Sequence, residues 1–143
     1  MNRQSEALGF EKTHFSNPDG WHTGSHYTCL NDLARIASLA LQNETIRRYM
    51  KIGYHETNFH SGQAITWENT NLLVLPGSGF YRSDAIGMKT GYTMAAGRTL
   101  VSCVVRNGRT LVAVTLQDGN DWADHEALYE YGFDKICPKE EAP

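Results

Sequence analysis

Lys89, Thr90 and Gly91 stand side by side in a stretch that reads as the outer strand of a β-meander. Together they suit one kind of ligand group. A lysine ammonium attracts a carboxylate, and a threonine hydroxyl donates a hydrogen bond to it. A glycine lets a ligand backbone approach the strand edge closely. Thr93, two residues past Gly91, is placed to line the same edge with its backbone or hydroxyl. Strict alternation sends Lys89 and Thr90 to opposite faces, so both reach one cleft only from an edge strand. A tripeptide alone is weak, and the competing reading is an exposed lysine on an ordinary strand.

The strand belongs to Asp84 to Leu116, which reads as three short strands. Ala95-Ala96-Gly97 makes one turn and Asn107-Gly108 the other; Asn-Gly between β-branched runs is a strong hairpin signal. Leu100 to Val105 and Leu111 to Leu116 are apolar at nearly every position. That predicts strands buried on both faces, with helices covering both sides. Met1 to Leu8 reads as a helix stopped by Gly9. Asn17-Pro18-Asp19-Gly20 is turn chemistry. Thr28 is expected to cap a helix to about Gln42, with an apolar face that includes Leu30, Leu33, Ala37 and Leu39. Asn43 caps a second, short helix with Ile46, Tyr49 and Met50 on one face. Lys51 to Tyr81 reads mostly as loop. A last helix begins over Asp118 to Asp121, presents Trp122, His125, Leu128, Tyr129 and Tyr131, and stops at Gly132. Residues 138–143 form a polar tail. The whole is α+β: helices, a three-stranded antiparallel meander, then a covering helix.

The bulk properties close off several functions. The chain has 143 residues and a formal charge of -3, one domain or part of one. No dense Lys/Arg cluster offers a field to nucleic acid. No run of about 18 apolar residues spans a membrane, and MNRQSEALGF lacks the apolar core of an export signal. Cys29, Cys103 and Cys137 are widely spaced and form no C-x-x-C; Cys103, inside an apolar strand, reads as a small buried hydrophobe. Six histidines raise the question of a metal. His22 and His26 are four apart, but Thr23-Gly24-Ser25 between them is poor helix, and H-E-x-x-H is absent. No metal or cofactor is implied. Asp19, Asp84, Asp118 and Asp121 fall at turns and helix starts, where capping explains them. Asn69 and Asn71 are expected to hold their loop by local hydrogen bonds.

The chain resembles the serine D-alanyl-D-alanine carboxypeptidases, the low-molecular-mass penicillin-binding proteins. The stretches that carry the likeness are MNRQSEALGF, THFSNPDGW, HYTCLNDLARIASLALQN, the NTNLL of Asn69 to Leu73, IGMKTGYTMAAGRTLVSCVVRNGRTLVAVTL and EALYEYGF. The resemblance implies a serine acyl-enzyme mechanism on the D-Ala-D-Ala stem peptides of peptidoglycan, with β-lactams as competing ligands, outside the cytoplasmic membrane. A Ser-x-x-Lys motif supplies nucleophile and base in that family. A Ser-x-Asn motif assists, and the Lys-Thr-Gly strand holds the terminal carboxylate. Lys89, Thr90 and Gly91 match that strand, and Thr93 is carried with them as a cleft residue.

The departure from the family is equally plain. Ser5, Ser16, Ser25, Ser38, Ser61, Ser78, Ser83 and Ser102 neither precede a lysine by three positions nor begin Ser-x-Asn. Residues 1–137 are therefore expected to be the C-terminal part of a transpeptidase-like domain with a partial β-lactamase-like fold, inactive without an N-terminal half. Two further readings stay open. One is a non-catalytic binding or assembly half, which meets a front half or a second copy through the Arg109 to Leu116 edge, where the family fold places two more strands. The other is an unrelated α+β domain with an accidental tripeptide.

Overall fold

Capped helix starts, β-branched runs and an Asn-Gly turn produce a recognisable order in the computed structural model, which describes residues 1–136. The elements are α1 (Asn2–Ala7), α2 (Leu30–Ala40), α3 (Glu44–Met50), β1 (Tyr54–Asn58), β2 (Ala64–Glu68), β3 (Ala85–Thr93), β4 (Gly97–Arg106), β5 (Arg109–Leu116) and α4 (Asp121–Tyr131). A 3-10 turn covers Leu72–Val74 and a wide π turn Gly132–Ile136. The expected tail, with Cys137, lies outside the described residues.

The meander forms as its sequence requires. Asn107 and Gly108 take φ of 52° and 74°, the twist that two-residue hairpins need. The sheet order is β3-β4-β5, antiparallel throughout. β4 is its spine: Leu100 to Val104 are all buried, so both faces are covered. Leu100, Ser102 and Val104 share the face on which α4 packs, where Leu73, Val74, Ala85, Val104, Ala113 and Tyr129 form the core. Val101 and Cys103 point the other way, where α2 packs on β5 and β4. Each large core side chain contributes roughly 1.5–3 kcal/mol through burial.

The helices differ from the expected faces in instructive ways. α2 starts at Leu30 with Cys29 at its N-cap, because the Thr28 hydroxyl is taken by the Thr13 hydroxyl at 2.9 Å. Its inner face is narrower than expected: Ala37 and the carboxylate Asp32 are buried, while Leu30 and Leu39 are exposed. Burial alone would raise the Asp32 carboxyl. Donors from the Thr13 hydroxyl, the Lys12 amide and Cys29, with the Arg35 charge, hold it below the usual range instead. α3 is capped by Asn43, which accepts from the Ile46 amide at 3.1 Å, but Ile46 and Tyr49 face solvent. Lys51 to Tyr81 is mostly loop, as expected, but it also holds two unexpected strands. β1 and β2 pair as a hairpin, with His55 opposite Trp67. Its strands are polar and exposed on nearly every residue, so no apolar alternation betrayed them.

α4 buries Asp121, His125 and Tyr129, four residues apart, whereas Leu128 and Tyr131 are exposed. Gly132 does not stop it. Gly132 keeps a helical conformation, pressed against Leu111, and the chain runs on into the π turn. A polar ladder fastens α4 to the sheet. Ser102 Oγ lies 2.6 Å from His125 Nδ1 and also bonds the Tyr129 hydroxyl; Thr115 Oγ1 lies 3.2 Å from His125 Nε2. At its far end Arg82 and Arg106 bridge Asp84 and Glu130, with contacts of 3.0 to 3.3 Å.

Burial pushes the His125 imidazole down to about 4, against the pull of Asp121, Asp118 and Asp124. The unfolded chain takes up that proton near the ordinary value of 6.5. Between these values the unfolded state binds more protons, so stability falls as pH drops through the window. Urea unfolding measured from about pH 7 to about pH 4 should lose on the order of 3 kcal/mol through this residue. His125→Gln should flatten that slope. Asp84, lowered by Arg82 and Arg106 although burial raises it, adds a separate loss at still lower pH.

Candidate functional site

β3 is shaped before it reaches Lys89. A bulge falls between Ala85 and Gly87, and Gly87 and Met88 take φ of 98° and 103°. A Cβ on Gly87 would sit 2.2 Å from the Met50 carbonyl oxygen, so α3 can lie there only against glycine. Met88 holds its left-handed conformation with a side chain, at a cost of about 1–3 kcal/mol. The bulge re-aims the strand, and from Met88 to Thr93 it pairs regularly with β4.

Lys89, Thr90, Gly91 and Thr93 all line one open cleft of about 1090 Å³. Alternation places Thr90 on the face of Leu100 and Lys89 on the face of Val101. Because β3 is an edge, both still reach the cleft. The Thr90 hydroxyl lies 2.7 Å from that of Thr70. The Lys89 ammonium folds back to donate to the Thr90 carbonyl. At Gly91 the structure gives a reason other than ligand approach. A Cβ would come 2.5 Å from Thr99 Oγ1, which donates to the Gly91 carbonyl at 3.1 Å. The bare position serves the neighbouring strand first. Thr93 Oγ1 accepts from the Ala96 amide at 3.0 Å, which ties it to the β3–β4 turn and leaves its O–H to donate.

The other walls come from elements that the sequence reading left without chemistry. Arg98, opposite Tyr92 in the register, holds Asp121 of α4 with Nη2 at 2.7 Å and Nε at 3.2 Å from both carboxylate oxygens. Its guanidinium stands 5.9 Å from the Trp122 ring. Asn17 fixes the loop that carries Trp21: its Oδ1 accepts from the Gly20 and Trp21 amides at 2.8 and 3.0 Å, and its Nδ2 donates to the Trp21 carbonyl at 2.7 Å. Asn69 and Asn71 do hold their loop. Asn69 Nδ2 donates to the Ile52 carbonyl at 3.0 Å, and Asn71 Oδ1 accepts from the Leu73 amide at 3.1 Å. Thr70 is fixed between them.

The cleft can bind an anion, with one ammonium and two hydroxyls along its floor. Its lining includes no serine, cysteine or histidine. Ser102 and His125 touch, but both are fully buried between α4 and the sheet.

Residues 1–120 match the family model of D-alanyl-D-alanine carboxypeptidase. The chain belongs to that family. It is 34% identical over 141 residues to the D-alanyl-D-alanine carboxypeptidase of a Streptomyces strain, covering 93% of this chain and 47% of the relative. It is 30% identical over 142 residues to D-alanyl-D-alanine carboxypeptidase DacB2 of Mycobacterium tuberculosis, covering 46% of it. The crystal structure of a Streptomyces DD-transpeptidase superposes with a TM-score of 0.79 at 33% identity, over 93% of this chain and 52% of that one. A D-alanyl-D-alanine carboxypeptidase structure from Mycobacterium tuberculosis gives 0.78 at 26% identity. The chain thus spans about half the length of these carboxypeptidases, and its α+β architecture is the family's over that half.

Within this family fold, the cleft residues missed in the sequence had readable signals. Hairpin register from the Ala95-Ala96-Gly97 turn puts Arg98 beside the Lys-Thr-Gly strand. THFSNPDGW and NTNLL are among the stretches that carry the family likeness, and they supply Trp21 and Thr70. Asp121 does stand at the start of α4, as expected, and the same carboxylate also holds Arg98.

The Asp121 side chain is almost wholly buried beside a half-exposed Arg98. Arg98→Met should therefore destabilise the fold by about 1–3 kcal/mol, by leaving a desolvated carboxylate. Asp121→Asn in the same chain should recover part of that loss. A double-mutant cycle by urea unfolding checks both.

Proposed function

We propose that this chain forms the carboxylate-holding wall of a serine D-alanyl-D-alanine carboxypeptidase that acts on peptidoglycan stem peptides in the cell envelope. The observation that carries this reading is the position of Lys89, Thr90 and Gly91: a Lys-Thr-Gly strand at the open edge of the sheet, lining the cleft. The ammonium and the Thr90 hydroxyl receive the terminal carboxylate of the peptide, or that of a β-lactam. Thr70 orients the hydroxyl. Thr93 acts through the turn it closes.

Acyl transfer needs a nucleophile and its base. No serine in these 143 residues starts Ser-x-x-Lys or Ser-x-Asn, so these groups must come from residues outside this sequence, on the same polypeptide or another. The chain by itself is expected to hydrolyse no D-Ala-D-Ala peptide. Incubation with a fluorescent penicillin and a denaturing gel should show no band at 16.0 kDa; a stable band overturns this expected inactivity of the chain by itself. Non-covalent binding is read by NMR titration with N-acetyl-L-norleucyl-D-Ala-D-Ala. Lys89→Ala should weaken it about tenfold or more, and blocking the peptide's terminus as an amide should abolish it.

A second reading concerns assembly. Within the described sheet β5 pairs with β4 alone. Leu111, Val112, Val114 and Leu116 are half-buried and only Ala113 is buried; such an edge is a template for another strand. A front half of the domain, or a second copy of this chain, fits it. Light scattering at high concentration should reveal dimers when no front half is present; a strict monomer counts against pairing with itself.

A further inference from the structure

α3 carries a charge pattern that neither the cleft nor the core uses. Arg47 and Arg48 stand in its last turn and Lys51 at its C-cap. The helical repeat puts Glu44, Arg47, Arg48 and Lys51 on one side. These four side chains, with Ile86 of β3, line a pocket of about 310 Å³. That is the small end of the range for ligand sites, and the pocket shares no lining residue with the cleft around Lys89.

Three cations meet one carboxylate there, in a chain whose formal charge is -3. Arg47 and Lys51 are four apart, a like-charge spacing that weakens a helix. All three cations are exposed. Among the described residues none makes an ion pair or a side-chain hydrogen bond; Arg48 stands 5.8 Å from the centre of the Tyr49 ring. Cations often gather at a helix C-terminus to serve its last carbonyls. Here Asn69 serves them: its Nδ2 donates to the Met50 and Ile52 carbonyls at 3.3 and 3.0 Å. Those bonds also fix the backbone from which the charges project.

We propose that Arg47, Arg48 and Lys51 form a site for one phosphate group, carried by a soluble phosphoester, over Ile86. From Arg47 to Lys51 the helix rises only about 6 Å. Same-side carboxylates of an extended acidic peptide stand about 7 Å apart, so they do not match three cations in that span. One group with several charged oxygens does, and guanidinium forks suit phosphate. A flat bilayer fits less well. Ile46 and Tyr49, the exposed apolar residues of α3, lie on the other side of the helix from the pocket, so one plane cannot engage both. The site stands independently of the carboxylate reading of the cleft.

NMR titration of the whole 143-residue chain tests it. The probes are inorganic phosphate and glycerophosphoglycerol, with ionic strength held constant by sodium chloride. Both should give saturable shifts at the Arg47 and Arg48 side-chain N–H signals and at the Ile86 amide. Arg47→Gln combined with Arg48→Gln should weaken binding about tenfold or more, with signals away from α3 unchanged as the check on folding. Lys51→Gln should weaken it about threefold, as expected of one exposed ion pair. Shifts that sodium acetate reproduces, or that persist in the double variant, mean an adventitious ion only and overturn the site. Silence of the wild-type chain towards both probes overturns it too. Sedimentation with phosphatidylcholine vesicles containing phosphatidylglycerol separates the sources. The chain should stay in the supernatant; pelleting assigns the phosphate to a lipid headgroup and overturns the soluble ligand.

Discussion

The pairing of β3 with β4 is the constraint on which the rest depends. β3 has one neighbouring strand, so whatever fixes β4 fixes the candidate site. β4 is fixed from both faces: α2 packs on one, and the Ser102–His125–Tyr129 ladder anchors α4 on the other. The ladder acts at Ser102, which pairs with Met88, the residue before Lys89. Val101 pairs with Lys89 and Leu100 with Thr90. An exposed cation is thus positioned by buried side chains. Interiors that are close-packed transmit such constraints well, because they have little room to relax.

α4 has a second job. The residue that starts it, Asp121, grips Arg98 on the cleft wall, and its next residue, Trp122, stands under that guanidinium. One helix therefore joins the buried ladder to the rim of the cleft. Its apolar content is modest and its buried stripe is a carboxylate, an imidazole and a phenol. Such a stripe is stable only when each group finds its partner, and here each does.

How much of this was legible in the sequence follows from the physics of each part. The meander was, since β-branched runs around Asn-Gly leave few alternatives. The Lys-Thr-Gly strand and its edge position were legible through the family likeness. The β1–β2 hairpin was not, because strands exposed on both faces carry no period-two pattern. The inner face of α4 was misread for a related reason: a polar stripe carries no hydrophobic period, so Leu128 and Tyr131 looked like its inner face. The cleft's far wall depends on contacts between residues 18–21, 70 and 121–122, which lie distant along the chain. No local rule brings those together. Gly91 shows a subtler limit. Its identity is explained by Thr99 across the ladder, a reason that spacing along one strand cannot display.

The resting position of the Lys89 side chain carries one more implication. Its ammonium already has an oxygen partner, the Thr90 carbonyl of its own strand. An incoming neutral carbonyl would only replace like with like. An oxygen bearing a full negative charge makes the shorter, stronger bond, and so alone gains from the exchange. On the carboxylate reading proposed above, that exchange favours free acids over amides and esters.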